Sequence, residues 1–158
     1  MDGYRPGCLG DIVALHARYY AREWSFGLAF EAKVATELAE FLSRMDLSRD
    51  LFVAAYDGDR LAGSIVVDVS GGGPEGAHLR WFIVSDEARG TGLGAALMGR
   101  AMHFCDAQGV RRVWLTTFRG LDAARRLYER HGFRLAGERA EDQWQGGVVE
   151  QRFVRELV

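Results

Sequence analysis

The chain has 158 residues, 48% of them hydrophobic and 27% charged, with a formal net charge of −2. That balance describes one soluble globular domain and excludes disordered and fibrous classes. The charge excludes a broad electrostatic footprint for nucleic acid or an anionic membrane, so any acceptor must be chosen by a local pocket. Tyr4-Arg-Pro-Gly suits a short first strand that stops at Pro6 and Gly7, after which Gly10 or Asp11 caps a helix. Apolar spacing predicts that helix over Ile12 to about Arg22, with His16, Tyr20, Glu23 and Trp24 near its end, and a second from about Phe30 to Arg44. Trp24-Ser-Phe-Gly between them is an aromatic bend, either a corner of the core or a wall for an acceptor.

Leu51 to Tyr56 and Arg60 to Val69 read as a hairpin around Asp57-Gly-Asp59, and Ser70 to Gly76 is a looser connection. Leu79 to Val84 is a strand that ends at the polar Ser85-Asp-Glu87. The following Arg89-Gly-Thr-Gly-Leu-Gly94 opens a helix that runs to about Gln108, with Gly109 at its C-terminal cap. Gly90, Gly92 and Gly94 leave backbone N–H groups uncovered where a helix begins, and Arg89 adds a fixed positive charge. A pyrophosphate fits that combination. A P-loop would need Lys-Ser/Thr after the last glycine, but Ala95 and Ala96 follow; a dinucleotide fold would need an acidic end to the next strand, which closes Leu115-Thr-Thr117. Arg111 to Thr117 is that strand.

Leu121, Ala124, Leu127 and Tyr128 follow helical spacing up to Gly132, and the spacing turns Tyr128 toward the packed side. Phe133 to Ala136 and Val148 to Leu157 complete the chain as two strands joined by a turn around Gln145-Gly-Gly147. The fold class is therefore mixed α/β, in the order β-α-α-β-β-β-α-β-α-β-β. Cys8 and Cys105 lie far apart without a metal-ligand spacing, so no metal and no disulfide are expected, and Cys105 shares a buried helical stripe with Leu97 and Ala101. No leader and no membrane-length apolar run is visible, which predicts a cytoplasmic location.

Arg89-Gly-Thr-Gly-Leu-Gly94 resembles the Arg/Gln-x-x-Gly-x-Gly/Ala loop of the GNAT superfamily of N-acetyltransferases. Leu127-Tyr-Glu-Arg-His-Gly-Phe133 is similar to that superfamily's Leu-Tyr-x-x-x-Gly-Phe signature, and Leu79 to Val84 to its splayed strand. The resemblance covers Leu51 to Phe133 and implies a mainly antiparallel sheet flanked by helices. It implies acetyl-coenzyme A as co-substrate, held by Phe82, Ile83, Val84, Arg89, Gly90, Thr91, Gly92, Leu93, Gly94 and Ala95. One departure is Leu121, where the superfamily often has asparagine. The flanks Gly10 to Val13, Tyr20 to Trp24, Gln143 to Gln145 and Val149 to Phe153 look like the acetyltransferase half of bacterial MarR–GNAT fusions, although this chain has no room for the DNA-binding half.

Acetyl transfer needs a neutral amine, a polarised thioester carbonyl and a proton for the departing thiolate. Tyr128, protonated at neutral pH, is the natural acid, and a backbone N–H near Val84 would polarise the carbonyl. Glu23 is carried as base or acceptor contact; Asp68, His16 and His78 are further bases, and spacing singles out none of them. The expected partner is a small-molecule or protein amine, with no nucleic acid and no membrane, and a homodimer is allowed. Two other classes stay open: an acyl-coenzyme A-binding regulatory module of the same fold, which would bind without turnover, and a nucleotide binder with affinity for NAD.

Overall fold

The computed structural model describes residues 1–141 and 148–157. Helices α1 (Cys8–Trp24) and α2 (Leu28–Arg44) precede the hairpin of β1 (Leu51–Asp57) and β2 (Arg60–Asp68). Strand β3 (Ala77–Val84) leads into α3 (Leu93–Ala107), β4 (Arg112–Phe118), α4 (Asp122–Arg130), β5 (Arg134–Glu141) and β6 (Val148–Glu156). The turn expected around Gln145 to Gly147, with Gln143 and Trp144 before it, lies outside the described residues.

The expected first strand is not formed. Only Asp2 bridges to the sheet, at Ala54, and α1 begins instead at Cys8 with Gly7 at its N-cap. Neither Gly10 nor Asp11 is the cap: Gly7 adopts φ 92°, a left-handed turn that glycine takes without strain, and Cys8 is then fully buried. Asp11 accepts a hydrogen bond from Tyr56 Oη at 2.6 Å and ties α1 to β1.

The sheet runs β1-β2-β3-β4-β6-β5, and every neighbouring pair is antiparallel except β3 with β4. Those two pair only at Ala77↔Val113 and His78↔Trp114. Beyond His78 the facing edges of both strands carry no strand among the described residues, so the middle of the sheet opens as a fork. Trp114, between the ring of His78 at 3.7 Å and the guanidinium of Arg152 at 4.5 Å, closes its narrow end and donates its indole N–H to Gly76 O.

A bulge aims β3 into the fork. The register to β2 shifts between Ser64↔Ile83 and Val66↔Arg80, with Trp81 at φ 46° and its carbonyl accepting from Ser64 Oγ at 2.7 Å. The extra residue inverts the alternation of the strand. Ala77 and Leu79 pack in the core under α3, and after the bulge Phe82 and Val84 do so, while Trp81 turns to the core under α1 and α2. The sheet thus has one core on each face. Leu97, Met98, Ala101 and Cys105 of α3 are fully buried in the first, Leu97 and Met98 each contributing about 1.5–3 kcal/mol. Burial pushes the Cys105 thiol up to about 11, consistent with the buried thiol that its stripe predicts. No helix of the described residues is long and apolar enough to cross a membrane.

Candidate active site

The glycine segment forms an exposed cradle of backbone donors. Ser85 caps a single 3₁₀ turn (Asp86–Ala88), accepting from Ala88 N, and Gly90 and Gly92 follow at φ 79° and 87°. Gly92 is the N-cap of α3 and offers no side chain to it. The first bond of the helix runs from Ala96 N to Gly92 O, leaving the N–H groups of Leu93, Gly94 and Ala95 without a partner among the described residues. A Cβ built at Gly90 or Gly92 would meet nothing within 4 Å, and one at Gly94 would meet only Leu127, Val84 and Phe82, at 3.6–3.7 Å. Three uncovered donors at the positive end of a helix dipole make an anion cradle.

Arg89 is held beside it. Its Nη1 lies 2.6 Å from Asp86 Oδ1, its guanidinium covers the Tyr19 ring at 4.9 Å, and its Nη2 reaches Val84 O at 3.4 Å. Asp86 also accepts both terminal nitrogens of Arg22, at 2.7 and 3.2 Å, which draws the end of α1 onto the loop. Those hydrogen bonds from Arg22, with the charge of Arg89, hold the Asp86 carboxyl below its usual range.

The cradle opens into a cleft of about 610 Å³ between β3, α3 and α4. Of the sequence-predicted residues, Phe82, Ile83, Val84, Arg89, Gly90, Gly92, Leu93, Gly94, Ala95 and Tyr128 all line it. Ser85 N bonds to Ala62 O at 2.8 Å, and antiparallel alternation then directs the backbone of Ile83 to β2 and that of Val84 into the fork. Ile83 therefore contributes through its side chain. Thr91 is not brought in: its hydroxyl donates to Ala88 O, and it lines a neighbouring pocket with Arg60 and Ser85 instead. Glu23 is not brought in either, being half exposed and paired with Arg22 at 3.1 Å. Leu121, the departure from the family pattern, lines the cleft as the N-cap of α4, with no side-chain cap bond.

A second cleft of about 390 Å³ lies across the fork, between α1, α2 and the sheet. The two clefts share Tyr20, Phe82, Thr117 and Tyr128. Tyr128 is 5% exposed, its ring set among Phe82, Phe133 and Phe153, and its hydroxyl has no hydrogen-bond partner among the described residues. Burial raises its pKa, so it carries its proton at neutral pH. Tyr20, which the sequence placed only near the end of a helix, stands opposite, and its pKa is raised by burial and then by the Tyr128 phenol. The signal for it was the Ile12, His16, Tyr20 stripe at four-residue spacing.

The other base candidates separate by position. His16 and His78 line the second cleft; Asp68 lines neither. Asp68 is buried, held by Arg44 at 2.6 and 3.2 Å and by Gly71 N at 2.9 Å, so it anchors the end of β2. Burial lowers His16 to about 4 and His78, beside Arg80, to about 3. Of the aromatic bend, Phe26 is core, and Phe26 and Trp24 stand behind Tyr20 and Phe118, which do line the second cleft.

Comparison with known proteins agrees with this geometry. Residues 11–133 match the family described as Acetyltransferase (GNAT) family. Among curated proteins, none matches the chain. Among solved structures, ribosomal-protein-alanine N-acetyltransferase from Brucella melitensis superimposes with a TM-score of 0.75 at 15% identity, covering 99% of this chain and 98% of that one. The ribosomal-protein-S18-alanine N-acetyltransferase from Escherichia coli gives 0.69 at 21% identity, over 98% and 91% of the two chains. Nourseothricin acetyltransferase gives 0.59 at 29% identity, over 71% and 68%. With a free-amide cradle feeding a forked sheet and a family match over most of its length, the chain belongs to the GNAT family of acetyltransferases.

Proposed function

We propose that this protein is an N-acetyltransferase that moves an acetyl group from acetyl-coenzyme A to a primary amine by direct attack. The observation that supports it most is the shared waist of the two clefts, where Tyr20, Phe82, Thr117 and Tyr128 border both an anion cradle and an acceptor-sized cavity. Bound coenzyme A supplies the acetyl group as a thioester. The free N–H groups of Leu93, Gly94 and Ala95, with Arg89, hold a pyrophosphate, and the open edge of β3 at Val84 receives an extended amide chain as it would another strand. A backbone N–H near Val84 polarises the carbonyl, and Tyr128 gives its proton to the leaving sulfur.

The acceptor is a small-molecule or protein amine, and the protein works in the cytoplasm without nucleic acid or membrane, in keeping with its net charge of −2. The likeness of Gly10 to Val13, Tyr20 to Trp24 and Val149 to Phe153 to the acetyltransferase half of MarR–GNAT fusions is a further part of this proposal. The test is thiol release from acetyl-coenzyme A across a panel of amines, with the acceptor checked by mass for one added acetyl group. Amine-dependent thiol supports the enzyme. Tight binding of acetyl-coenzyme A with no amine-dependent thiol would make the protein a binding module, a role in which Leu121 would mark a reduced site.

A further inference from the structure

We infer that His16 is the general base of this site, taking the proton from the attacking amine. The inference rests on the N-acetyltransferase reading. His16 is 5% exposed on α1, and its Nδ1 lies 2.8 Å from Ile12 O. A carbonyl oxygen only accepts, so Nδ1 carries the hydrogen. The neutral ring then holds its lone pair on Nε2. That atom has no protein partner among the described residues, and the ring lines the second cleft, stacked parallel to Tyr20 at 6.4 Å. Tyr20 in turn borders both clefts beside Tyr128. An aligned base, a phenol at the waist and an unpartnered phenol beyond it therefore follow one another from the acceptor side to the cradle side.

The other ionisable groups of the acceptor cleft are differently engaged. Glu37 is bound by Arg80 and lies 3.4 Å from Lys33, and Glu150 lies 3.6 Å from Arg139. His78 is stacked on Trp114 at the closed end of the fork, where the strands still pair. His16 carries a fixed tautomer and, among the described residues, no counter-ion. Burial keeps it neutral near pH 7, so its lone pair is available without prior deprotonation.

The step balances with groups already named. The amine nitrogen donates its electron pair to the thioester carbon, and the carbonyl π pair moves to oxygen. The nitrogen becomes acidic as the C–N bond forms, and its proton passes to His16 Nε2. Return of the oxygen electron pair expels the sulfur, which takes the Tyr128 proton. The products are an amide and a thiol, and the imidazolium and phenolate are reset by moving one proton between them through solvent. A base too weak to ionise a free alkylamine suffices, because the proton is taken only after attack has begun.

His16→Gln and His16→Ala test this in the full chain, with acetyl-coenzyme A and whichever amine the panel identifies. His16→Gln should lower kcat by about 10²-fold with unchanged acetyl-coenzyme A affinity. In His16→Ala, added 4-methylimidazole should restore turnover well and 4-chloroimidazole poorly, since the two are of nearly equal size but unlike basicity. Equal rescue by both would show a packing role and overturn the base. A folded His16→Gln with kcat within about twofold of wild type would overturn it as well. If His16→Ala does not fold, the His16→Gln comparison decides alone. Wild-type protein without amine-dependent thiol release would instead remove the acetyltransferase reading, and the base with it.

Discussion

Tyr128 owes its position to core packing and its access to both clefts to the fork. Its ring is held by three phenylalanines, so Tyr128→Phe preserves packing and removes only a hydroxyl that has no protein partner among the described residues. As the acid it should lose roughly 10²-fold in kcat, with stability and acetyl-coenzyme A affinity nearly unchanged. A folded variant with wild-type kcat, measured where chemistry limits the rate, would end that assignment. Lys33, the sole lysine in the sequence, is placed on the wall of the second cleft, exposed and 3.4 Å from Glu37 Oε2. Long incubation with acetyl-coenzyme A is expected to acetylate Lys33 ahead of the N-terminal amine, which peptide mapping reads directly. Stable acetyl on a serine or cysteine would point to a covalent intermediate and against direct attack. Glu23 shows the limit of reading single residues: as a carboxylate it was one of four candidate bases that spacing did not separate, and the helix turns it to solvent beside Arg22.

At the scale of elements, the glycine loop separates two effects that look alike in sequence. Gly92 sits at φ 87°, so Gly92→Val adds about 1–2 kcal/mol of backbone strain even though open space surrounds its Cβ. Gly94 has no such backbone, and its Cβ would make only ordinary contacts at the cleft wall. Gly94→Val should therefore weaken acetyl-coenzyme A binding by about tenfold or more with little change in Tm, whereas Gly92→Val should lower both. Calorimetric affinity beside thermal melts distinguishes them; unchanged affinity in two folded variants would take the loop out of the site. The loop, the Leu-Tyr helix and the hairpin were legible because each is a local pattern whose residues lie within one or two turns. The bulge at Trp81 was not. Its strand ends in a continuous apolar run from Trp81 to Val84 that shows no break, and the left-handed φ of 46° on a tryptophan is imposed by pairing with β2, beyond any local propensity.

For the whole molecule, the buried His16 and the half-buried His78 set an acid limit. His16 and His78 are lowered to about 4 and about 3, mainly by burial, so between pH 6.5 and 4 the unfolded chain binds protons that the folded chain refuses. Stability is then greatest above about pH 6.5 and falls as pH drops, by about 1–2 kcal/mol per histidine at pH 5. Melting temperature should decline from pH 7 to 5, and less steeply in His16→Gln; identical slopes would show that His16 does not titrate in this window. The sequence by itself determined the elements other than the N-terminal strand, together with the glycine cradle at the start of α3, because apolar periodicity and glycine spacing are encoded by near neighbours. Only the tertiary structure decided that β3 and β4 part after His78, that Tyr20 and Tyr128 both border the resulting waist, and that His16 rather than Glu23 lines the second cleft. Those relations join distant residues, Tyr20 and Tyr128 more than a hundred positions apart and His78 and Trp114 more than thirty, through strand register and the packing of α1 on the sheet, and no local pattern carries them.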